Sequence, residues 1–152
     1  MVLTCYDPQP QRFEMSDNPV PEHPAPPETI LFVEDEALVR MDMAEFLREC
    51  GYRVHEAANA GEAVEALQSK FAVDLVFTDI NLPEGMDGLE LAEWIFTNRP
   101  GIRVVVTTGG APRAEIPRSV EPLLPKPYTG RDLLDRVKRA LEQSADDKQP
   151  GS

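Results

Sequence analysis

Acidic, hydroxyl and amine side chains recur in this chain just where short apolar runs end. Glu34, Asp35 and Glu36 follow Thr29-Ile-Leu-Phe-Val33, and Asp79 follows Asp74-Leu-Val-Phe-Thr78, with Asn81 two residues on. Thr107 and Thr108 close the run from Arg103, ahead of Gly109 and Gly110, and Lys126 stands between Pro125 and Pro127 after Leu123-Leu124. Two or three carboxylates brought together repel: at an effective dielectric of about 20, a like-charged pair about 4 Å apart costs about 4 kcal/mol. Such a site protonates or takes a cation. All-oxygen ligands on a hydrated rim favour Mg2+, which keeps several waters and shares a phosphoryl oxygen. A positioned carboxylate nucleophile, an amine and a hydroxyl are what phosphoryl transfer needs, because its loose transition state calls for positive charge and donors on the equatorial oxygens.

Each residue alone has an ordinary structural explanation. Asp35 or Glu36 could cap the next helix, Asp79 could be a turn residue, Thr108 a strand end and Lys126 a solvated charge. Together, at four of five run ends, they point to one rim.

The elements that would hold that rim follow from periodicity. Thr29–Val33 is apolar and β-branched, as a strand buried on both faces requires. Ala37 to Cys50 carries Leu38, Met41, Phe46 and Leu47 at roughly helical spacing, and Gly51 supplies a stop. Tyr52–Ala57 alternates like a strand, and Asn59-Ala-Gly-Glu62 resembles a capping box opening a helix to about Lys70. Strands are predicted at Asp74–Thr78 and Arg103–Thr107. A helix is predicted from Gly88 to about Asn98, with Leu89, Leu91, Ala92, Ile95 and Phe96 inward, which makes Leu89 and Phe96 core and leaves Trp94 part-exposed. Pro112 and Pro117 interrupt any helix over 109–121. Thr129-Gly-Arg-Asp132 opens a last helix whose inner face is Leu133, Leu134, Val137, Ala140 and Leu141. Arg136, Lys138 and Arg139 are expected to complement its C-terminal dipole.

Strand and helix therefore alternate five times, which implies an α/β fold with a parallel sheet and helices on both faces. Ligands of such sheets bind beyond the carboxyl ends of the strands, where the residues above stand.

Seven of the fifteen prolines lie in residues 1–28, which predicts a disordered tail there. The folded domain is expected over 29–145 and a polar tail over 146–152. With 15 basic and 27 acidic residues the net charge is −12, so a nucleic-acid partner is not expected. No signal peptide is expected, no apolar run is long enough to suggest a membrane span, and a cytoplasmic location is expected. Cys5 and Cys50 form no close pair and are expected to be reduced thiols. His23 and His55 have no ligand spacing around them.

The pieces Ile30-Leu-Phe-Val-Glu-Asp-Glu36, Asp74-Leu-Val-Phe-Thr-Asp79, Asn81-Leu-Pro83, Met86-Asp-Gly-Leu-Glu-Leu91, Val104-Val-Val-Thr-Thr-Gly109 and Leu124-Pro-Lys-Pro127 resemble, in order and spacing, the CheY-like receiver domains of two-component response regulators. The resemblance covers about 29–143. It implies a doubly wound, flavodoxin-like, five-stranded parallel sheet of order 2-1-3-4-5. It also implies Asp79 as phosphoacceptor, Thr108 as switch hydroxyl and Lys126 as the phosphate-facing amine. Mg2+ would be held by Glu34, Asp35, Asp79 and the Asn81 carbonyl. Thr108 is preferred to Thr107 because the small residue that follows the switch hydroxyl in the family is then Gly109. A cis peptide is expected before Pro127.

The chain departs from the family in four places. Leu123 stands where an aromatic switch residue is common, the region 109–121 is broken by prolines, the loop Asn81–Gly88 is one residue longer than usual, and the acidic pair is Glu-Asp. The expected function is that of a stand-alone response regulator, a phosphorylated signalling protein rather than an enzyme with a substrate of its own. A sensor histidine kinase or phosphotransfer protein would supply the phosphoryl group, and an unknown downstream protein would read it. A non-phosphorylated adaptor with the same fold is the alternative. A phosphohydrolase is disfavoured because Asn81 stands where such enzymes place a second Asp.

Overall fold

A computed structural model describes residues 27–109 and 123–147. The proline-rich tail 1–26, the segment 110–122 and the terminal 148–152 lie outside the described residues, and so do the expectations made for them. The described chain runs β1 (Thr29–Val33), α1 (Ala37–Glu49), β2 (Arg53–Ala57), α2 (Ala60–Gln68), β3 (Leu75–Asp79), α3 (Gly88–Asn98), β4 (Arg103–Thr108), β5 (Leu124–Pro125) and α4 (Gly130–Asp147). The sheet order is β2-β1-β3-β4-β5, with every pairing parallel. This is the expected α/β topology.

β1 and β3 are buried along their whole length, as central strands covered on both faces must be. Alternate residues serve opposite layers. Ile30 and Phe32 with Leu75 and Phe77 pack against Ala44, Leu47, Leu133 and Val137 of α1 and α4. Leu31, Val33 and Val76 pack against Ala63, Leu67, Leu91 and Ile95 of α2 and α3. Phe32 and Phe77, partners in register, stack at 4.6 Å and 6°. That ring pair is the floor of the site, because the next residues on the same face are Glu34 and Asp79.

The helix boundaries have local causes. Asp87 caps α3 in a full capping box with Glu90, a signal the sequence carries in the stretch Asp87-Gly-Leu-Glu90. Asn59 accepts from the Glu62 amide, but the Glu62 carboxylate returns to Ala58, so the α2 box is displaced by one residue. Thr129 and Asp132 cap α4 reciprocally. Gly51, with φ +103, ends α1 in a left-handed turn that a side chain would strain.

Four expectations need correction. Leu38 is 79% exposed and Met41 55%; α1 buries Ala44 and Leu47 instead, with Met43 and Phe46 packed beside them. At about 100° per residue Leu38 lies on the opposite side of the helix from Leu47, so apolar type alone misassigned it. The last helix extends to Asp147, beyond the expected limit at residue 145. Arg136 therefore lies mid-helix, where it donates to the Leu123 carbonyl rather than neutralising a C-terminus. Cys50, the C-cap of α1, is disulfide-bonded and not a free thiol; the chain's other cysteine, Cys5, lies outside the described residues. Leu89 and Phe96 do pack in the core beneath α3, as expected.

Candidate functional site

Three strand ends deliver the site. β1 ends at Val33, so Glu34 and Asp35 occupy the turn into α1, while β3 carries Asp79 as its last residue. Carboxylate oxygens of Glu34, Asp35 and Asp79 all lie within 4.8 Å of one another. Glu34 and Asp79 are buried, at 1% and 3% exposure, whereas Asp35 faces solvent. Glu36 is the N-cap of α1, but its side chain makes no capping bond.

Asp79 is held at both oxygens. Lys126 Nζ lies 2.6 Å from Oδ2, and the Asn81 backbone N–H donates to Oδ1 at 3.0 Å. Lys126 follows β5 directly, and the Lys126–Pro127 peptide is cis, as the resemblance implied. Its own backbone N–H donates to the Thr108 carbonyl at 3.0 Å, tying the ends of β4 and β5 together. Asn81 thus enters through its backbone beside Asp79.

The two threonines differ. Thr107 pairs in register with Asp79, yet it is fully buried and its hydroxyl donates to the Leu124 carbonyl at 2.7 Å. Thr108, the last residue of β4, is only half-buried at the rim.

The charges perturb one another. Burial raises the Glu34 carboxyl above the ordinary range; the Glu36 N–H and Lys126 pull it down, Asp79 and Asp35 push it up, and the balance is upward. Burial alone would lower the Lys126 ammonium. Its hydrogen bond and charge pairing with Asp79, aided by Glu34 and Glu36, raise it on balance. Glu34 accepts from the Glu36 N–H through Oε2, at 3.1 Å, while its buried Oε1 has no hydrogen-bond partner. A buried, unsatisfied carboxylate oxygen facing two further carboxylates is what a cation-binding pocket offers before its ion arrives. The donor set is hard oxygen throughout, so it fits Mg2+.

Two contributors were not singled out from the sequence. Gly88 donates its N–H to the Ile80 carbonyl at 2.8 Å, and a Cβ there would lie 2.1 Å from the Asp79 carbonyl oxygen. Tyr128 packs edge-on against Phe77 at 5.8 Å, with its hydroxyl buried.

Residues 30–138 match the model of the response regulator receiver domain. The chain belongs to that family. Receiver domains are phosphoacceptor signalling modules of two-component systems rather than conventional enzymes, and membership implies a histidine kinase as the class of partner. Among curated relatives, the receiver protein CpdR of Brucella abortus is 34% identical over 117 residues, covering 74% of this chain and 95% of CpdR. The sensor kinase CckA of the same organism is 38% identical over 120 residues, and the transcriptional regulatory protein PdtaR of Mycobacterium tuberculosis is 38% identical over 124. The chain spans only 13% of CckA and 59% of PdtaR. A CheY-like receiver domain from Methanospirillum hungatei superposes with a TM-score of 0.73 at 30% identity, covering 80% of this chain and 98% of that one. TrrA of Thermotoga maritima, solved in complex with Mg2+ and BeF, superposes at 0.68 with 29% identity, covering 75% of this receiver and 99% of TrrA.

Among the described residues no helix is long and apolar enough to cross a membrane.

Proposed function

We propose that this receiver domain accepts a phosphoryl group on Asp79 from a phosphohistidine of a sensor histidine kinase or phosphotransfer protein. The carrying observation is Asp79 itself: a buried carboxylate at a strand end, within 4.8 Å of two other acids and 2.6 Å from an ammonium. In the transfer an Asp79 carboxylate oxygen attacks phosphorus, the P–N bond to the donor imidazole breaks, and the ring nitrogen keeps the bond's electron pair. An acyl phosphate results.

This chain's residues prepare that step. The Asn81 N–H fixes one Asp79 oxygen and Lys126 the other, so the nucleophile presents one orientation. The Lys126 ammonium is then placed to meet the new phosphoryl oxygens. Glu34, Asp35, Asp79 and the Asn81 carbonyl would hold Mg2+, which supplies positive charge to the transferring oxygens. Thr108 serves as the switch hydroxyl; the commitment of Thr107 to Leu124 favours it. With Leu123 buried in the core in place of an aromatic ring, phosphorylation is read through the β4–β5 edge. The protein signals by changing its choice of protein partner, in the cytoplasm and without a nucleic-acid ligand.

The donor docks over the start of α1. Leu38 and Met41 are exposed on α1, and the same helix supplies Glu36, Val39, Asp42 and Met43 to a cavity of about 530 Å3 that Lys126 and Tyr128 also line.

Incubation with acetyl phosphate and Mg2+ tests the chemistry. Wild type should gain one phosphoryl group by intact mass, and Asp79→Asn none. Persistent labelling of Asp79→Asn refutes the assignment, and an unlabelled wild type leaves the adaptor alternative standing.

A further inference from the structure

Asp35 is the exposed member of the acid triad, yet its carboxylate lies within 4.8 Å of those of Glu34 and Asp79. A solvent-facing side chain in the turn between β1 and α1 keeps such a place when the peptide that carries it is held. The peptide joining Glu34 to Asp35 is held by a side chain. Arg40, in the first turn of α1, reaches back six residues, and its Nη1 donates to the Glu34 carbonyl at 2.8 Å. The Glu34 N–H donates to the Ala57 carbonyl of β2 at 3.0 Å, so both backbone groups of Glu34 are engaged.

The guanidinium is itself oriented. Its Nε meets Glu56 Oε1 on β2 at 3.3 Å, and Arg48 Nη2 meets the other Glu56 oxygen at 3.2 Å. A planar fork with one arm on a carboxylate and another on a carbonyl has a single orientation. Helix electrostatics gives no reason for a cation here, because the first turn of α1 is the positive end of its dipole.

We propose that Arg40 is a positioning residue for Mg2+ binding: gripped by Glu56, it pins the Glu34–Asp35 peptide and so sets Asp35 beside Asp79 for the ion. The role has a sign that separates it from bare charge. A cation near an acid pocket repels a second cation, so removing Arg40 would tighten Mg2+ binding if its charge were all that mattered. Loss of positioning weakens it.

The inference rests on the acid pocket's binding Mg2+, so the test separates the two. Full-length wild type, Arg40→Met, Arg40→Lys and Arg48→Met are titrated with Mg2+ by calorimetry at pH 7 and constant ionic strength, and each is unfolded in urea with EDTA present. Arg40→Met should weaken Mg2+ binding about 10-fold. Arg40→Lys keeps the charge and the fold but cannot make both bonds, and should weaken it about 3-fold. Arg48→Met gives up its pair with Glu56 and its bond to the Val54 carbonyl; it should unfold at lower urea yet change Mg2+ affinity less than about 2-fold. Unchanged or tighter Mg2+ binding in both Arg40 variants overturns the positioning role, and so does an equal loss in Arg48→Met. If Arg40→Met does not fold, Arg40→Lys decides by the same criterion. Failure of wild type itself to bind Mg2+ overturns the pocket, and the role of Arg40 with it.

Discussion

Replacing Glu34 with Gln should make the metal-free protein more stable, even though Glu34 is among its most buried side chains. Three carboxylates lie within 4.8 Å of one another. At that spacing and an effective dielectric of about 20, each like-charged pair costs about 3.5 kcal/mol before offsets. Lys126 cancels roughly one pair, and exposed Asp35 is largely screened. What remains is the burial of the Glu34 charge with Oε1 unbonded, on the order of 1–3 kcal/mol. Glutamine keeps an acceptor for the Glu36 N–H and removes the charge. Urea unfolding in EDTA at pH 7 should therefore show Glu34→Gln more stable by about 1–3 kcal/mol, a gain of about 4 °C in Tm per kcal/mol for a domain of this size. Saturating Mg2+ should stabilise wild type through mass action and the variant far less, narrowing or reversing the order. A Glu34→Gln protein that unfolds at lower urea than wild type in EDTA, with an unchanged m-value, would refute the claim that the Glu34 charge is held at a cost in metal-free protein.

The same carboxyl sets a pH dependence. Its folded pKa is raised, so its contribution to stability is fully present below the ordinary carboxylate range and is lost as pH rises through the folded value. The advantage of Glu34→Gln in EDTA should thus shrink on acidification from pH 7 toward about 4.3, and Mg2+ affinity should fall over the same interval. Lys126, also raised, loses its contribution only as pH climbs past its own folded value, well above that interval, so it does not confuse the measurement. Gly88→Ala should cost about 3 kcal/mol in urea unfolding, because the new Cβ meets the Asp79 carbonyl at 2.1 Å and the Ile80 Cα at 2.7 Å, both unyielding backbone; labelling by acetyl phosphate should slow with it. Leu38→Asp should change stability by no more than about 0.5 kcal/mol and leave acetyl phosphate labelling intact, while slowing transfer from a phosphorylated histidine kinase about tenfold in stopped kinetics.

What the sequence made legible was what repeats with a period. β1 and β3 announce themselves because both their faces are apolar, and the residues that follow them fall on one rim by topology. Glu34, Asp35, Asp79 and Lys126 could be gathered for that reason, without a single distance. Side-chain direction on α1 was not legible: Leu38 and Met41 look like core residues, and only the angular position of Ala44 and Leu47 shows which face turns inward. Thr107 and Thr108 were separable only by their neighbours in the sequence; the carbonyl of Leu124, which engages Thr107, belongs to a strand of two residues. Tyr128 was invisible for a related reason, since nothing in a local pattern reveals that a ring two residues past a lysine packs against Phe77 of β3. The capping box at Asp87 was written in the sequence and needed only its own rule.

Charge balance explains why the pocket suits a switch. One ammonium faces three carboxylates, leaving two negative charges that a divalent cation matches. On the proposed phosphorylation of Asp79, negative charge would be added at the same place, so the Lys126–Asp79 pairing would not survive unchanged and the ammonium would follow the phosphoryl oxygens. Lys126 does not move alone. Its backbone N–H is bound to the Thr108 carbonyl, and Leu124, two residues before it, takes the Thr107 hydroxyl. A displacement of the amine would therefore be passed to the ends of β4 and β5 through these two hydrogen bonds, at 3.0 and 2.7 Å, with no aromatic ring needed at Leu123. The short β5 strand, with only Thr107–Leu124 and Thr108–Pro125 in register, is the part of the sheet least able to resist it.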